Sequence, residues 1–145
     1  MATTKAETAF VDTNVLLDAT DRARPGHGAA LHVLESRPRL VFSAQIVREY
    51  LVVATRPPQF NGLGLDLDRA LENVAELRRA VRLLPEEKPL LPALLGLLRE
   101  VPVSGKAIHD ALVIATMRAH RVRELITSNA GDFARFAQTV QLTRP

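Results

Sequence analysis

Short apolar runs set between helix-patterned stretches constrain this chain more than anything else in it. Thr8–Val11, Leu40–Ser43 and Glu124–Thr127 are too short for helices. They suit strands buried on both faces of a sheet. Helical patterning covers Thr13–Ala19, Ala29–Ser36, Ala44–Thr55, Leu67–Val81 and Pro89–Arg99, with a last helix from Ser104 to about His120. Ala70, Leu71, Val74, Leu77 and Val81 share one face of the fourth. Ser43 and Ser104 stand where side-chain caps belong, and Pro57-Pro58 stops the helix before it. Arg82–Leu84 and Thr139–Leu142 complete the strand candidates, with a helical turn at Asp132–Phe136. Arg56–Asp66 is the one clear loop, carrying Phe60 and the Gly62/Gly64 pair. Strands alternating with helices predict an α/β sandwich around a largely parallel sheet. No repeat or linker divides the 145 residues, so a single domain spanning 1–145 is expected.

Composition narrows the chemistry. Cysteine is absent, which excludes a disulfide framework, a thiolate zinc site and a cysteine nucleophile. His27, His32, His109 and His120 form no close pair, so any metal is expected on oxygen ligands, favouring Mg²⁺ or Mn²⁺. No serine occupies a G-x-S-x-G elbow, and no phosphate-binding glycine loop occurs. Met1–Thr8 lacks the apolar core of a signal peptide and no stretch approaches a membrane span, so a cytoplasmic protein is expected. The net charge of +3 permits a polyanionic partner.

Several polar residues then stand out against their apolar settings. Asp12 ends the run Ala9-Phe10-Val11, where it can cap a helix or face a ligand beyond a strand end. Glu49 borders the apolar stripe of its helix, with Arg48 and Arg56 as possible ion-pair partners. With Ser104 as cap, Asp110 falls in the second turn, where helix electrostatics no longer favour it. Asn129 and Asp132 follow Leu125-Ile126-Thr127; ordinary turn chemistry accounts for either one alone. A phosphatase using Asp12 as nucleophile would need a second acid two residues on, but Asn14 stands there.

In order, the pattern is Asp12-Thr13-Asn14 after a strand, Glu49 and Asp110 on helices, and Thr127-x-Asn129-x-x-Asp132-Phe133 after another strand. Phe10-Val11-Asp12-Thr13-Asn14-Val15-Leu16-Leu17, Ile108-His109-Asp110-Ala111 and the segment from Leu125 to Phe133 make this chain resemble the PIN-domain ribonucleases. It is most similar to the VapC-type toxins of toxin–antitoxin pairs. The resemblance implies an α/β/α sandwich with a central, largely parallel sheet flanked by helices. It implies catalytic acids at Asp12, Glu49 and Asp110 holding Mg²⁺ or Mn²⁺, with the fourth catalytic and metal-binding position divided between Asp132 and Asn129. Asn129 stands where many relatives carry an acid. Asn14 and Thr127 are expected to orient the carboxylates, and Arg48, Lys106, Arg118 and Arg121 to meet RNA phosphates. The implied activity is RNA hydrolysis leaving 5′-phosphate and 3′-hydroxyl ends, with a structured RNA such as tRNA as target. A homodimer and a small antitoxin seated against the helices Ala44–Thr55 and Leu67–Val81 are also implied. An RNA-binding or scaffolding domain with weak or no nuclease activity is the alternative.

Overall fold

The computed structural model describes residues 7–86 and 89–145; most of the N-terminal stretch weighed as a leader lies outside the described residues. Five parallel strands form one sheet: β1 (Ala9–Val11), β2 (Leu40–Phe42), β3 (Val81–Leu83), β4 (Glu124–Ile126) and β5 (Gln141–Thr143). Their order is β3-β2-β1-β4-β5, with Phe10 beside Val41 on one side and Leu125 on the other. Every residue of β1, β2 and β4 is buried, while the edges β3 and β5 are partly exposed. That division explains why β1 and β2 read as unbroken apolar runs, while β4 opens on Glu124, buried but paired with Arg37.

The helices are α1 (Thr13–Thr20), α2 (His27–Ser36), α3 (Ala44–Thr55), α4 (Leu67–Ala80), α5 (Leu90–Glu100) and α6 (Ala107–Ala119). They flank the sheet in the expected α/β/α sandwich. Packing runs in series from α2 to α1, α3 and α4, with α5 against α6. Phe10, Phe42, Ile46, Tyr50, Leu125 and Phe136 are among the large, fully buried side chains between the layers.

Local expectations needed four corrections. Ser43 precedes α3 in extended backbone but makes no cap bond, and its hydroxyl is buried without a partner. Ser104 does not cap α6 either. The helix begins at Ala107 after Gly105, whose φ of 61° is the left-handed turn a glycine tolerates best. In α4, Leu71 is 47% exposed and Asn73 is buried in its place. Finally, Val81 is not the end of that helix but the start of β3.

The loop after α3 is shaped by that helix's own end. The backbone amides of Leu63, Gly64 and Leu65 donate to the carbonyls of Val53, Arg56 and Ala54 at 2.9–3.0 Å, satisfying groups a helix terminus leaves open. Within it, Pro58–Phe60 makes one 3-10 turn. A Cβ on Gly62 would lie 1.9 Å from the Arg56 carbonyl oxygen, so the fold-back needs glycine there.

The strand order places the functional end. From β1 the chain crosses to β2 on one side, while β4 returns on the other, so the switch point lies between β1 and β4. In open parallel sheets ligands bind beyond the carboxyl ends of strands at such a point. Asp12 and Thr127 are the residues that leave these two strands there.

Candidate active site

Asp12 performs both jobs the sequence left open. Its Oδ1 accepts from the Thr13 backbone amide at 2.8 Å, capping α1. Its Oδ2 accepts from Thr127 Oγ1 at 2.7 Å and from Asn14 Nδ2 at 3.2 Å. Thr127 is fully buried, and its hydroxyl oxygen accepts in turn from the Asn129 backbone amide at 3.0 Å. Asn14 Oδ1 accepts from the Ser128 amide at 3.1 Å, tying α1 to the turn after β4. Asn14 and Thr127 are therefore where the sequence put them, around the Asp12 carboxylate.

Burial pushes the Asp12 carboxyl above its usual value, and the Glu49 charge adds to that, against the bonds from Thr127, Thr13 and Asn14. Glu49 pairs with neither Arg48 nor Arg56. Thr13 Oγ1 donates to its Oε2 at 2.8 Å and Gln45 Nε2 to its Oε1 at 3.0 Å.

Asp110 sits in the first turn of α6, not the second, because the helix starts two residues later than a Ser104 cap would put it. An acid there complements the helix dipole, so the electrostatic objection to it falls away. A stronger peculiarity replaces it. The Asp110 carboxyl is pushed up to about 6 by desolvation, then by the charges of Asp132, Asp12 and Glu49, in that order. Arg135 opposes them. The other three acids thus act electrostatically on one side chain. Asp132, at the 3-10 turn Ala130–Phe136, is the strongest of these charges; both it and Asn129, just before that turn, are exposed.

The basic residues divide. Lys106 directly precedes α6, at the Asp110 end, and Arg135 belongs to the same turn as Asp132. Arg48 is exposed on α3. Arg118 and Arg121 lie at the opposite end of α6, where Arg118 pairs with Glu100 at 3.1 Å and Arg121 flanks the strand starts beside Thr8. The structure does not bring these two to the acids. Thr13, Gln45 and Arg135 are members of the site that sequence reasoning missed. Thr13 carried a signal, since it follows Asp12 directly; Gln45 and Arg135 show only once α3 and the last turn are folded against α6.

The donor set suits an oxygen-ligated divalent ion. Carboxylates are hard ligands with lone pairs beyond those the protein donors occupy, and the acids crowd one another's charge. Among the described residues, no three His, Cys, Asp or Glu side chains already form a ready-made metal cluster. The acids act on one another through charge rather than meeting at a common point.

The PIN domain model matches residues 9–138, nearly the whole chain. The chain belongs to the PIN domain family, a family of nucleases, as the sequence motifs implied. Among solved structures it is similar to the sarcin–ricin loop cleaving toxin VapC20 of Mycobacterium tuberculosis, at 20% identity and a TM-score of 0.70, covering 95% of this chain and all of that one. VapBC2 of Rickettsia felis, bound to a DNA fragment from its promoter, matches at 13% identity and a TM-score of 0.68, covering 94% and 98%. A toxin–antitoxin complex from Klebsiella pneumoniae matches at 24% and 0.61, covering 88% and 91%. At these identities the likeness establishes the fold. No curated protein matches the chain.

Proposed function

We propose that this chain is a metal-dependent endoribonuclease toxin restrained by a small antitoxin. The observation that carries the reading is the convergence of Asp12, Glu49 and Asp132 on Asp110, at the carboxyl ends of β1 and β4. Clustered, partly desolvated acids are costly unless a cation balances them. Asp12, Glu49, Asp110 and Asp132 are the residues that would hold Mg²⁺ or Mn²⁺. Asp132 is taken for the fourth position because it is an acid whose charge reaches Asp110, whereas Asn129 can offer only a neutral carbonyl oxygen. Such an ion supplies an activated water and charge stabilisation at the scissile phosphate.

The chain's own groups set the stage for that chemistry. Thr127 and Asn14 fix the orientation of Asp12, and Thr13 ties Glu49 to the same turn. Lys106 and Arg135, at the acid end of the molecule, are placed to hold flanking phosphates, with Arg48 as a further candidate on α3. RNA is the substrate this reading names. The loop-cleaving activity of the mycobacterial neighbour makes structured RNAs, tRNA included, the first to test.

The antitoxin reading rests on the toxin–antitoxin complexes among the similar structures and on a surface of this chain. Between α3 and α4 runs an apolar groove of about 490 Å³ that includes Val47, Leu51, Val52 and Leu67, with Arg48 and Arg78 on its wall. Val52 is 51% exposed and Leu67 58%, which suits the apolar face of an amphipathic helix. A homodimer is part of the same proposal, to be checked by light scattering on the purified chain.

The deciding experiment compares wild type with Asp12→Ala and Asp110→Ala on RNA with Mg²⁺ or Mn²⁺. Wild type is expected to cleave, and both variants to lose activity by several orders of magnitude. Variants that cleave as wild type does, with contaminating nuclease excluded, would sink the proposal. An RNA-binding module is the second reading, favoured by Asn129 in place of an acid; it predicts RNA binding without carboxylate-dependent Mn²⁺ binding.

A further inference from the structure

The Glu49 carboxylate is held at both oxygens by neutral donors, and one of them reaches further. Gln45, one helical turn before Glu49, uses its Nε2 twice: toward Glu49 Oε1 at 3.0 Å and toward the His109 carbonyl at 2.9 Å. His109 lies in the first turn of α6, immediately before Asp110. Both partners only accept, so the orientation of the amide is unambiguous: its NH₂ faces them and its Oε1 faces away. That Oε1 is buried without a hydrogen-bond partner, and the residue as a whole is 8% exposed.

A side chain selected for stability alone would not take this form. An unpaired buried amide oxygen costs free energy that an apolar side chain of similar length would avoid. What the amide does achieve is a link between two elements that share little packing of their own, since α3 rests chiefly on α1 and α4, and α6 on α5. These elements carry Glu49 and Asp110. Thr13 completes the arrangement by joining the other Glu49 oxygen to the turn that carries Asp12.

We propose that Gln45 is a positioning residue whose side-chain amide sets the placement of Glu49 relative to Asp110, so that both acids serve one metal-assisted phosphodiester hydrolysis. This rests on the nuclease reading above. Gln45 touches neither substrate nor metal in this role; it acts through Glu49 and through the backbone of α6.

The test uses the full chain as wild type, Gln45→Met and Gln45→Leu, the second in case the first disturbs packing. Three quantities are measured: the thermal midpoint, Mn²⁺ affinity by calorimetry without RNA, and kcat and KM on an RNA oligonucleotide. In the variants the thermal midpoint stays level or rises. Mn²⁺ affinity and kcat each fall by about 10- to 100-fold, the range seen when residues that orient metal ligands are lost. KM changes little, because the contacts to substrate are intact. Variants that bind Mn²⁺ and cleave like wild type overturn the assignment. So does a thermal midpoint that falls in step with activity, which marks a purely structural residue. A wild type that neither binds Mn²⁺ nor cleaves RNA overturns the nuclease reading itself and this assignment with it.

Discussion

Asp110 is the residue at which stability and the proposed chemistry pull apart. Burial and the neighbouring acids push its folded carboxyl up to about 6, from an ordinary value of 3.8. Between those values the folded state binds more protons than the unfolded one, so stability falls as pH rises through that window. Above about pH 6 the cost is fully present, and below about pH 4 it is gone. Asp110→Asn is therefore expected to stabilise the metal-free protein at pH 7 by on the order of 1 kcal/mol, after allowing for solvent screening of a partly exposed group. Thermal denaturation in chelator at pH 7 and pH 4 checks this: the gain should appear at the first and vanish at the second, while RNA cleavage is lost. A variant less stable than wild type at pH 7 would mean that the neighbouring acids do not burden Asp110. Asp12, Glu49 and Asp110 were legible in the sequence because each interrupts or ends an apolar run, whereas Asp132 sits in a turn and showed only through the order of the motifs. The reason given for Asp110 was wrong, since it assumed a cap at Ser104. Gln45 was not legible: a glutamine in the first turn of a helix reads as surface until α6 is seen against it.

At the level of elements, a buried polar chain fastens three helices together. Tyr50 of α3 is fully buried; its hydroxyl donates to Thr20 Oγ1 of α1 at 2.9 Å and accepts from Asn73 Nδ2 of α4 at 3.0 Å. This explains the misreading of α4. At about 100° per residue, Asn73 lies about 60° from Ala70 and Leu71 about 100° away, so the inward face favours the asparagine by angle. Hydrophobicity alone pointed to the leucine, and a buried amide is tolerable only because the Tyr50 hydroxyl meets it. Tyr50→Phe keeps the ring and strands that amide, so a loss of about 1–3 kcal/mol is expected in urea denaturation. A loss below a few tenths would mean that the Asn73 amide finds another partner or water. The strands and helices themselves were readable from periodicity, to within a few residues at their ends. Where the reading slipped, at Ser43, Ser104 and Leu71, the outcome depended on which neighbour a polar group meets, and a single sequence does not display that.

The whole molecule separates its proposed functions in space. The acids gather beyond the carboxyl ends of β1 and β4, while Arg118 and Arg121 sit near the strand starts at the other end of α6. The apolar groove between α3 and α4 is a third region, and Glu49 on the far side of α3 connects it to the acids through one helix. Val52 and Leu67 contribute to this groove while being mostly exposed, so converting both to glutamate should cost little stability, within about 0.5 kcal/mol each. The same change places two charges where a partner's apolar helix face would have to be desolvated, which opposes binding far more than folding. Val52→Glu/Leu67→Glu is therefore expected to fold and cleave RNA like wild type but to escape neutralisation. The check is co-expression with the product of the adjacent reading frame, followed by co-purification and an RNA cleavage assay. A double variant that still co-purifies and stays inhibited would move the antitoxin site elsewhere. One that purifies alone but has lost cleavage would show that the groove and the acids are coupled through α3, as their shared helix allows.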